Sequence, residues 1–372
     1  MKNTIVVMFL ICSFFYGHTQ SGKVGSLSYN FNGETLTISG KGAMPDYNES
    51  DFRLISDEKE LAVELAYANP DYEIFLWNKG RDVIKNIVIE EGVTHVGNWA
   101  FAFCRNLTTI SLSGSITSLG HHAFYGCENL IIADIPEKVS QIGEAVFGGN
   151  STSLQAINVS DKNLHYISID GVLFNSDMTV LLQYPCAKPE ALYSIPEDVA
   201  AIGDYAFSYS RFLTTVIVPQ TLTTIGQNAF SNSKSLYQMA ASEKLLKDNT
   251  FYIPSTVTEI GAWAFCACKN MKNVYLLCPV TNLLPYTFYE CKNLTSIAFF
   301  ASIDTIGERA FARCGLTSVY FIGDKPPVCE KGVFAEMNQA DCKLFVMNKK
   351  SIKAFRKANG WKSFGWIGIP QE

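Results

Sequence analysis

Apolar residues return along this chain at a fixed distance. An aliphatic-Gly pair is followed three residues on by Ala-Phe: Val96-Gly97 with Ala100-Phe101, Leu119-Gly120 with Ala123-Phe124, and Ile142-Gly143 with Val146-Phe147. The series continues with Ile202-Gly203, Ile225-Gly226, Ile260-Gly261, the degenerate Leu283-Leu284, and Ile306-Gly307. The markers at 97, 120, 143, 203, 226, 261, 284 and 307 are separated by 23, 23, 60, 23, 35, 23 and 23 residues. Five spacings are identical, and the other two are the same period plus an insertion. After each Leu or Met ten residues past a marker, period-2 alternation predicts a short strand, as in Leu107-Thr-Thr-Ile-Ser-Leu112 and Met271-Lys-Asn-Val-Tyr-Leu276. One such strand cannot bury its inward side chains alone, but stacked turns can. The pattern therefore predicts an α/β-type repeat solenoid of about eight 23-residue turns, with a parallel sheet on one face and the Phe column on the opposite wall. Glycine at the marker is expected to supply a φ that other residues resist, and Leu284 should distort its turn.

Elements outside the repeat follow from local signals. Alternating strands around Asn32-Gly33 predict an N-terminal hairpin cap. Asp57 to Ala68 has helical character, with Asp57 as cap and Glu60 three residues on, and Trp77 is expected to cover the first turn. Ile169–Phe174 and Thr179–Tyr184 read as an inserted hairpin, and Glu243–Asp248 as a short helical turn. The repeat pattern stops after Phe321, and Pro326-Pro327 breaks it. Cys342–Val346 reads as a last strand, Ser351–Asn359 as a short helix, and Trp361, Phe364 and Trp366 as a lid over the open end of the core. The predicted organisation is a signal segment at 1–19, an N-terminal cap at 20–86, the solenoid at 87–322 with insertions near 161–190 and 241–252, and a C-terminal cap at 323–372.

Composition adds chemistry to this frame. Hydrophobic residues make up 48% of 372 positions and charged ones 17%, which excludes a disordered chain. A formal charge of -5 gives no general attraction to nucleic acid. Lys2 followed by the apolar run Ile5–Phe15, with small residues at Gly17 and Thr19, reads as an export signal cleaved before Gln20; no other segment is apolar enough to span a membrane. Of 11 Cys, five stand seven residues after a marker (Cys104, Cys127, Cys268, Cys291, Cys314), where Asn150, Ser210 and Ser233 stand in the other copies. A small, weakly polar residue at one corner suits a buried ladder that satisfies backbone groups, so free thiols are expected there. Cys329 and Cys342 are the best disulfide candidates; Cys186, Cys266 and Cys278 have no assignable partner.

The repeat Val93-Thr-His-Val-Gly-Asn-Trp-Ala-Phe-Ala-Phe-Cys-Arg-Asn-Leu-Thr-Thr-Ile110 resembles the BspA-type leucine-rich repeat proteins of bacterial surfaces. The resemblance runs from residue 24 to about 366. Leu27–Met44 is similar to the N-terminal cap of such proteins, and Ile169–Phe174 to an insertion they carry. It implies a secreted or surface-displayed protein that recognises an extracellular protein or glycan.

Catalytic and metal motifs are missing from the sequence. His121-His122 could suggest a metal pair, but adjacent turn residues rarely converge on one ion. Asp170 and Asp177 sit beside turn residues and are read as turn formers. The chain is therefore read as a binding protein without cofactor or metal, rather than an enzyme; an enzyme or inhibitor acting on extracellular polymers, or a structural envelope protein, is the alternative. Oligomeric state is left open. Outward strand positions are small and polar in the early turns. In the later ones they offer Tyr275, Leu277, Phe300, Tyr320 and Ile322, predicted to form one apolar ligand-binding patch unless an insertion or the cap folds over it.

Overall fold

A computed structural model describes residues 20–47, 52–57, 60–65, 81–248 and 250–370. The export segment and Trp77 lie outside these. The chain falls into two compact units, residues 1–171 and 172–372. Both are built from coils of parallel strands, about twelve turns in all rather than eight. The additional turns are ones whose sequences lack the aliphatic-Gly and Ala-Phe landmarks.

In the first unit, Gln20–Val24, Leu27–Phe31 and Thr35–Ser39 form an antiparallel meander, with the hairpin turn at Asn32-Gly33. Thr35–Ser39 then pairs in parallel with Asn86–Ile89, which pairs with Thr109–Leu112. A second, narrower ladder runs through Gly42–Ala43, Val93–Val96, Ser118–Leu119 and Gln141–Ile142. Phe52–Asp57 and Glu60–Leu65 pair as antiparallel strands and not as a helix. In Glu60–Leu65 the apolar Leu61, Val63 and Leu65 alternate with Glu60, Ala62 and Glu64, and this period of two outweighs the capping signal at Asp57.

The second unit opens with the expected hairpin, Val172–Asn175 against Val180–Gln183. Its second strand starts the narrow ladder, pairing in parallel with Ala201–Ile202 and onward to Thr224–Ile225 and Glu259–Ile260. The broad sheet has nine parallel strands from Leu192–Ser194 to Trp366–Gly368. The insertion after Ala240 holds a 3₁₀ turn at Glu243–Asp248 and one extra strand, Thr250–Ile253.

Each unit has its Phe column. Phe101, Phe124 and Phe147 stack at 5.4 and 5.6 Å in the first. In the second, Tyr184 occupies a rung below Phe207 at 5.1 Å, followed by Phe230, Phe265, Phe288, Phe311 and Phe334 at spacings of 4.9 to 5.8 Å. These rings are buried, and each near-parallel pair adds about 0.5–1.5 kcal/mol beyond its buried area. Phe334 shows that the repeat does not stop after Phe321. Val328–Cys329 pairs with Thr305–Ile306, and Val333-Phe334 sits where earlier turns carry Ala-Phe. Pro326-Pro327 interrupts the sequence pattern without ending the coil, since both precede the paired strand. Lys343–Val346 is likewise not the last strand, because Trp366–Gly368 pairs beyond it. The short helix runs from Lys349 to Phe355, capped by Asn348, whose side chain accepts from the Ser351 amide.

The marker glycines are needed for a different reason than expected. None from Gly97 to Gly307 has positive φ. A Cβ on Gly120, Gly143 or Gly261 would strike the backbone of the preceding turn. Positive φ falls instead two and six residues later, on residues such as Trp99 and Phe103, Trp263 and Ala267, Arg309 and Arg313. There it turns alternate N–H groups toward the next coil: Trp263, Phe265 and Ala267 donate to the carbonyls of Pro285, Thr287 and Tyr289. Leu284, the one non-glycine among the eight markers, splits the narrow ladder as anticipated. Asn282–Leu283 pairs onward with Thr305–Ile306, but Glu259–Ile260 ends the preceding sheet. A cleft of about 450 Å³ opens there, lined by Glu259, Gly261, Asn282 and Leu284.

Among the described residues the thiols are free. Cys127, Cys268, Cys291 and Cys314 donate to the carbonyls of Phe101, Phe230, Phe265 and Phe288 at 3.0–3.3 Å, and Ser233 does the same for Phe207. Cys329 and Cys342 are also free thiols and not a disulfide. Cys329 belongs to the narrow ladder while Cys342 precedes a strand of the broad sheet, so they sit on different walls.

Candidate functional site, an aromatic face on the broad sheet

Parallel, in-register pairing places equivalent residues side by side, about 4.8 Å apart. One outward row of the second unit reads Tyr252, Tyr275, Ala298, Tyr320, Phe345 and Gly368. The inward neighbours Val274, Leu276, Val319, Phe321, Leu344 and Val346 are all buried. Their burial fixes the register, because a slip of one residue would turn the aromatics inward. Two residues further along each strand, a second row carries Leu277, Phe300, Ile322, Met347 and Pro370. Exposure in this row is large, 36% at Leu277, 46% at Phe300, 42% at Ile322 and 55% at Met347, and Tyr320 in the first row is 36% exposed.

The aromatic side chains support one another. Tyr320 lies flat against Phe345, centroids 4.5 Å apart and planes within 6°. Phe345 meets Trp366 at 4.9 Å, Tyr275 meets Tyr252 edge-on at 5.2 Å, and Phe300 leans to 5.6 Å from Tyr275. Where the row lacks a side chain at Gly368, the Trp366 indole folds over the gap. At Ala298 the row has only a methyl. The short side chain leaves a depression of about 300 Å³ walled by Tyr275, Phe300, Tyr320, Ile322, Phe345 and Met347.

Of the five residues proposed from sequence, Tyr275, Phe300, Tyr320 and Ile322 line this depression, while Leu277 stands in the second row outside it. Ala240, beside Tyr252 in the register of this row, is fully buried: the 3₁₀ insertion packs on its strand, and the Gln238 amide donates to the carbonyl of Leu246. Phe345, Met347, Tyr252 and Trp366 were missed. The signal for the first two was present, since Lys343, Phe345 and Met347 alternate with buried Leu344 and Val346. Trp366, expected in the lid, is 41% exposed; Trp361 and Phe364 form the lid.

The first unit's sheet face differs in chemistry. Its shallow groove is lined by Ser111, Asp134, Asn158 and Ser160, with Asn158 donating to Asp134 at 2.8 Å. His121 and His122 turn to different neighbours. His121 Nδ1 accepts from the Glu144 amide, whereas the His122 ring stacks on Trp99 at 4.2 Å. Burial pushes the His122 imidazole down to about 4, with a smaller push from His121.

Comparison with known proteins agrees with this architecture. The BspA type leucine rich repeat region matches in six copies over residues 79–179, 188–253 and 246–339. No curated protein matches the chain. A solved leucine-rich repeat protein from Eubacterium ventriosum is 23% identical over 95% of this chain and 94% of that one, with a TM-score of 0.55. A leucine rich cell surface protein from Faecalibacterium prausnitzii is 21% identical over 82% and 95%, with 0.60. The pneumococcal vaccine antigen PcpA is 17% identical over 96% and 99%, with 0.62. At such identities the likeness is one of fold. The repeat match covers well over half of the sequence, and the chain belongs to the BspA-type leucine-rich repeat family.

Proposed function

We propose that this is an exported, surface-displayed or secreted protein that captures an extracellular protein ligand through the aromatic face of its second unit. The observation that carries this reading is the exposed depression between Tyr275 and Tyr320, walled by side chains that in most monomers would be covered. Aromatic anchors in such pockets dominate binding energies. A protein ligand fits better than a glycan stacked on rings, because the flat faces of Tyr320 and Phe345 are already turned to each other. What remains open is ring edges and aliphatic groups, suited to apolar side chains. A surface location matches the family and the printed description of the F. prausnitzii relative. No helix among the described residues is long and apolar enough to cross a membrane. The absence of catalytic motifs supports a non-enzymatic role.

The test is capture by the chain from Gln20 onward against purified extracellular-matrix proteins and a glycan array. The control is a Tyr275→Ser/Tyr320→Ser double variant. Loss of two anchors should weaken capture by about thirtyfold or more while the melting temperature stays nearly unchanged. A large drop in stability, or capture indifferent to both substitutions, would count against this face.

A further inference from the structure

The residues that follow the aromatic face along the chain give it a charge preference. From Cys342 to Gln371 the sequence holds seven basic residues and no acidic one. With Glu372, the last 31 residues carry +6; the whole chain is -5, so the preceding 341 carry -11. The basic residues are Lys343, Lys349, Lys350, Lys353, Arg356, Lys357 and Lys362, and every one is exposed. Among the described residues none of them pairs with a carboxylate, whereas Lys85, Lys188, Lys292 and Arg313 elsewhere all do. Asp324 faces the helix Lys349–Phe355 and is held by the cap: Asn348 donates to it at 2.8 Å and Ser351 at 3.4 Å.

This charge is continuous with the depression. Lys343 and Phe345 leave the same side of one strand, and Met347 follows its end, so an exposed lysine stands next to one of the walls. Lys349 and Lys350 follow two and three residues after Met347, no more than about 7–11 Å of backbone away. The helix buries Ser351 and Phe355 and leaves its lysines in solvent. An apolar depression bordered on one side by uncompensated positive charge selects a partner with the opposite arrangement. Lysines, as flexible point charges, accept carboxylates in varied positions without a fixed fork geometry.

We propose that the occupant of the depression is an acidic protein segment, with apolar side chains seated among Tyr275, Phe300, Tyr320 and Met347 and carboxylates facing Lys343, Lys349 and Lys350. The inference rests on the reading of the depression as the binding face. Two labelled peptides test it on the full chain. One alternates Phe and Leu with Glu, and the other replaces each Glu with Gln. Heparin and phosphatidylglycerol vesicles serve as further probes. The Glu peptide should bind about tenfold tighter at low salt and lose that advantage as salt rises. Lys343→Gln/Lys349→Gln/Lys350→Gln should abolish the difference, and Tyr320→Ser should weaken both peptides. Equal binding of the two peptides, unmoved by the triple variant but weakened by Tyr320→Ser, overturns the acidic partner and spares the depression. Binding of both peptides indifferent to Tyr320→Ser overturns the two readings together. Heparin or vesicle binding that needs the lysines but not Tyr320, with no preference between peptides, replaces the proposal by a polyanion or lipid surface at the C-terminal end.

Discussion

Cys291 donates its thiol hydrogen to the carbonyl of Phe265, 26 residues earlier, across a distance of 3.1 Å. This contact explains why a reactive residue recurs at one corner. The carbonyl is enclosed and already accepts the Cys268 amide at 3.3 Å, and the turn that follows supplies a second, small donor. Burial raises the Cys291 thiol well above its ordinary range and keeps it protonated as a donor. Ser233 performs the same task on Phe207 at 2.6 Å. Cys291→Ser should therefore keep stability within about 1 kcal/mol of the parent, whereas Cys291→Ala, which leaves the Phe265 carbonyl with the Cys268 amide alone, should cost about 0.5–1.5 kcal/mol more than the Ser variant. Urea denaturation of both variants checks the contrast; an equal cost for the two would deny the donor role.

Two neighbouring positions in one turn separate crowding from backbone strain. A Cβ at Gly261 would meet the Gln227 amide and the Gly226 carbonyl carbon in the turn below. Ala267, six residues on, holds φ at +56° with a side chain present. Gly261→Ala should destabilise by about 1–3 kcal/mol through overpacking. Ala267→Gly should be neutral or stabilising, by up to about 1 kcal/mol, because the left-handed conformation penalises a Cβ. Thermal unfolding of the pair decides between this assignment and one in which the marker glycine supplies the unusual φ.

The periodic part of the fold was legible because burial repeats there in identical form. Gly226 and Phe230, or Gly261 and Phe265, announce themselves by spacing. Rungs such as Tyr184 and the strand Thr250–Ile253 were hidden, since they satisfy the same geometry with other residues. Tyr184 fills the Phe place with an aromatic of similar shape, and Thr250–Ile253 enters the sheet after a 12-residue detour. The role of the marker glycine was not legible at all, because a forbidden contact between turns leaves no trace in one turn's sequence. On the aromatic face, Tyr275 and Tyr320 followed from strand alternation. Phe345 and Met347 were hidden because Pro326-Pro327 reads as the end of the coil, and Trp366 because an aromatic near a terminus looks like a lid whether it points in or out.

His122 should impose a pH dependence on the first unit. Its ring is stacked on Trp99 and near Tyr125, and burial lowers its pKa to about 4 from an unperturbed 6.5. Between these values the unfolded chain binds a proton that the folded chain does not. Stability from the neutral ring is therefore full above about pH 6.5, falls as pH drops toward about 4, and levels off below. His122→Gln should flatten this part of the profile. The comparison is melting temperature against pH for the two proteins between neutral and about pH 4.5; parallel curves would remove His122 as the source.

Trp361 and Trp366 stand five residues apart and should behave in opposite ways. Trp361 is fully buried, donates its indole N–H to the Pro327 carbonyl at 2.9 Å, and packs edge-on against Phe334 at 5.2 Å. It covers the Phe column at its Phe334 end. Truncation to Ala removes that lid and leaves a cavity, which should cost about 3–5 kcal/mol. Trp361→Phe should recover part of the loss, the remainder reflecting the orphaned Pro327 carbonyl. Trp366 lies on the outer face beside Phe345, half in solvent. Its replacement by Ala should cost about 1–2 kcal/mol, well below the loss at Trp361, since the ring is already 41% exposed, yet weaken capture of a ligand seated on that face. Equilibrium unfolding of the three variants, with capture measured for Trp366→Ala, separates the residue that holds the coil closed from the one that faces outward; a large stability loss at Trp366 would instead make the aromatic row part of the core.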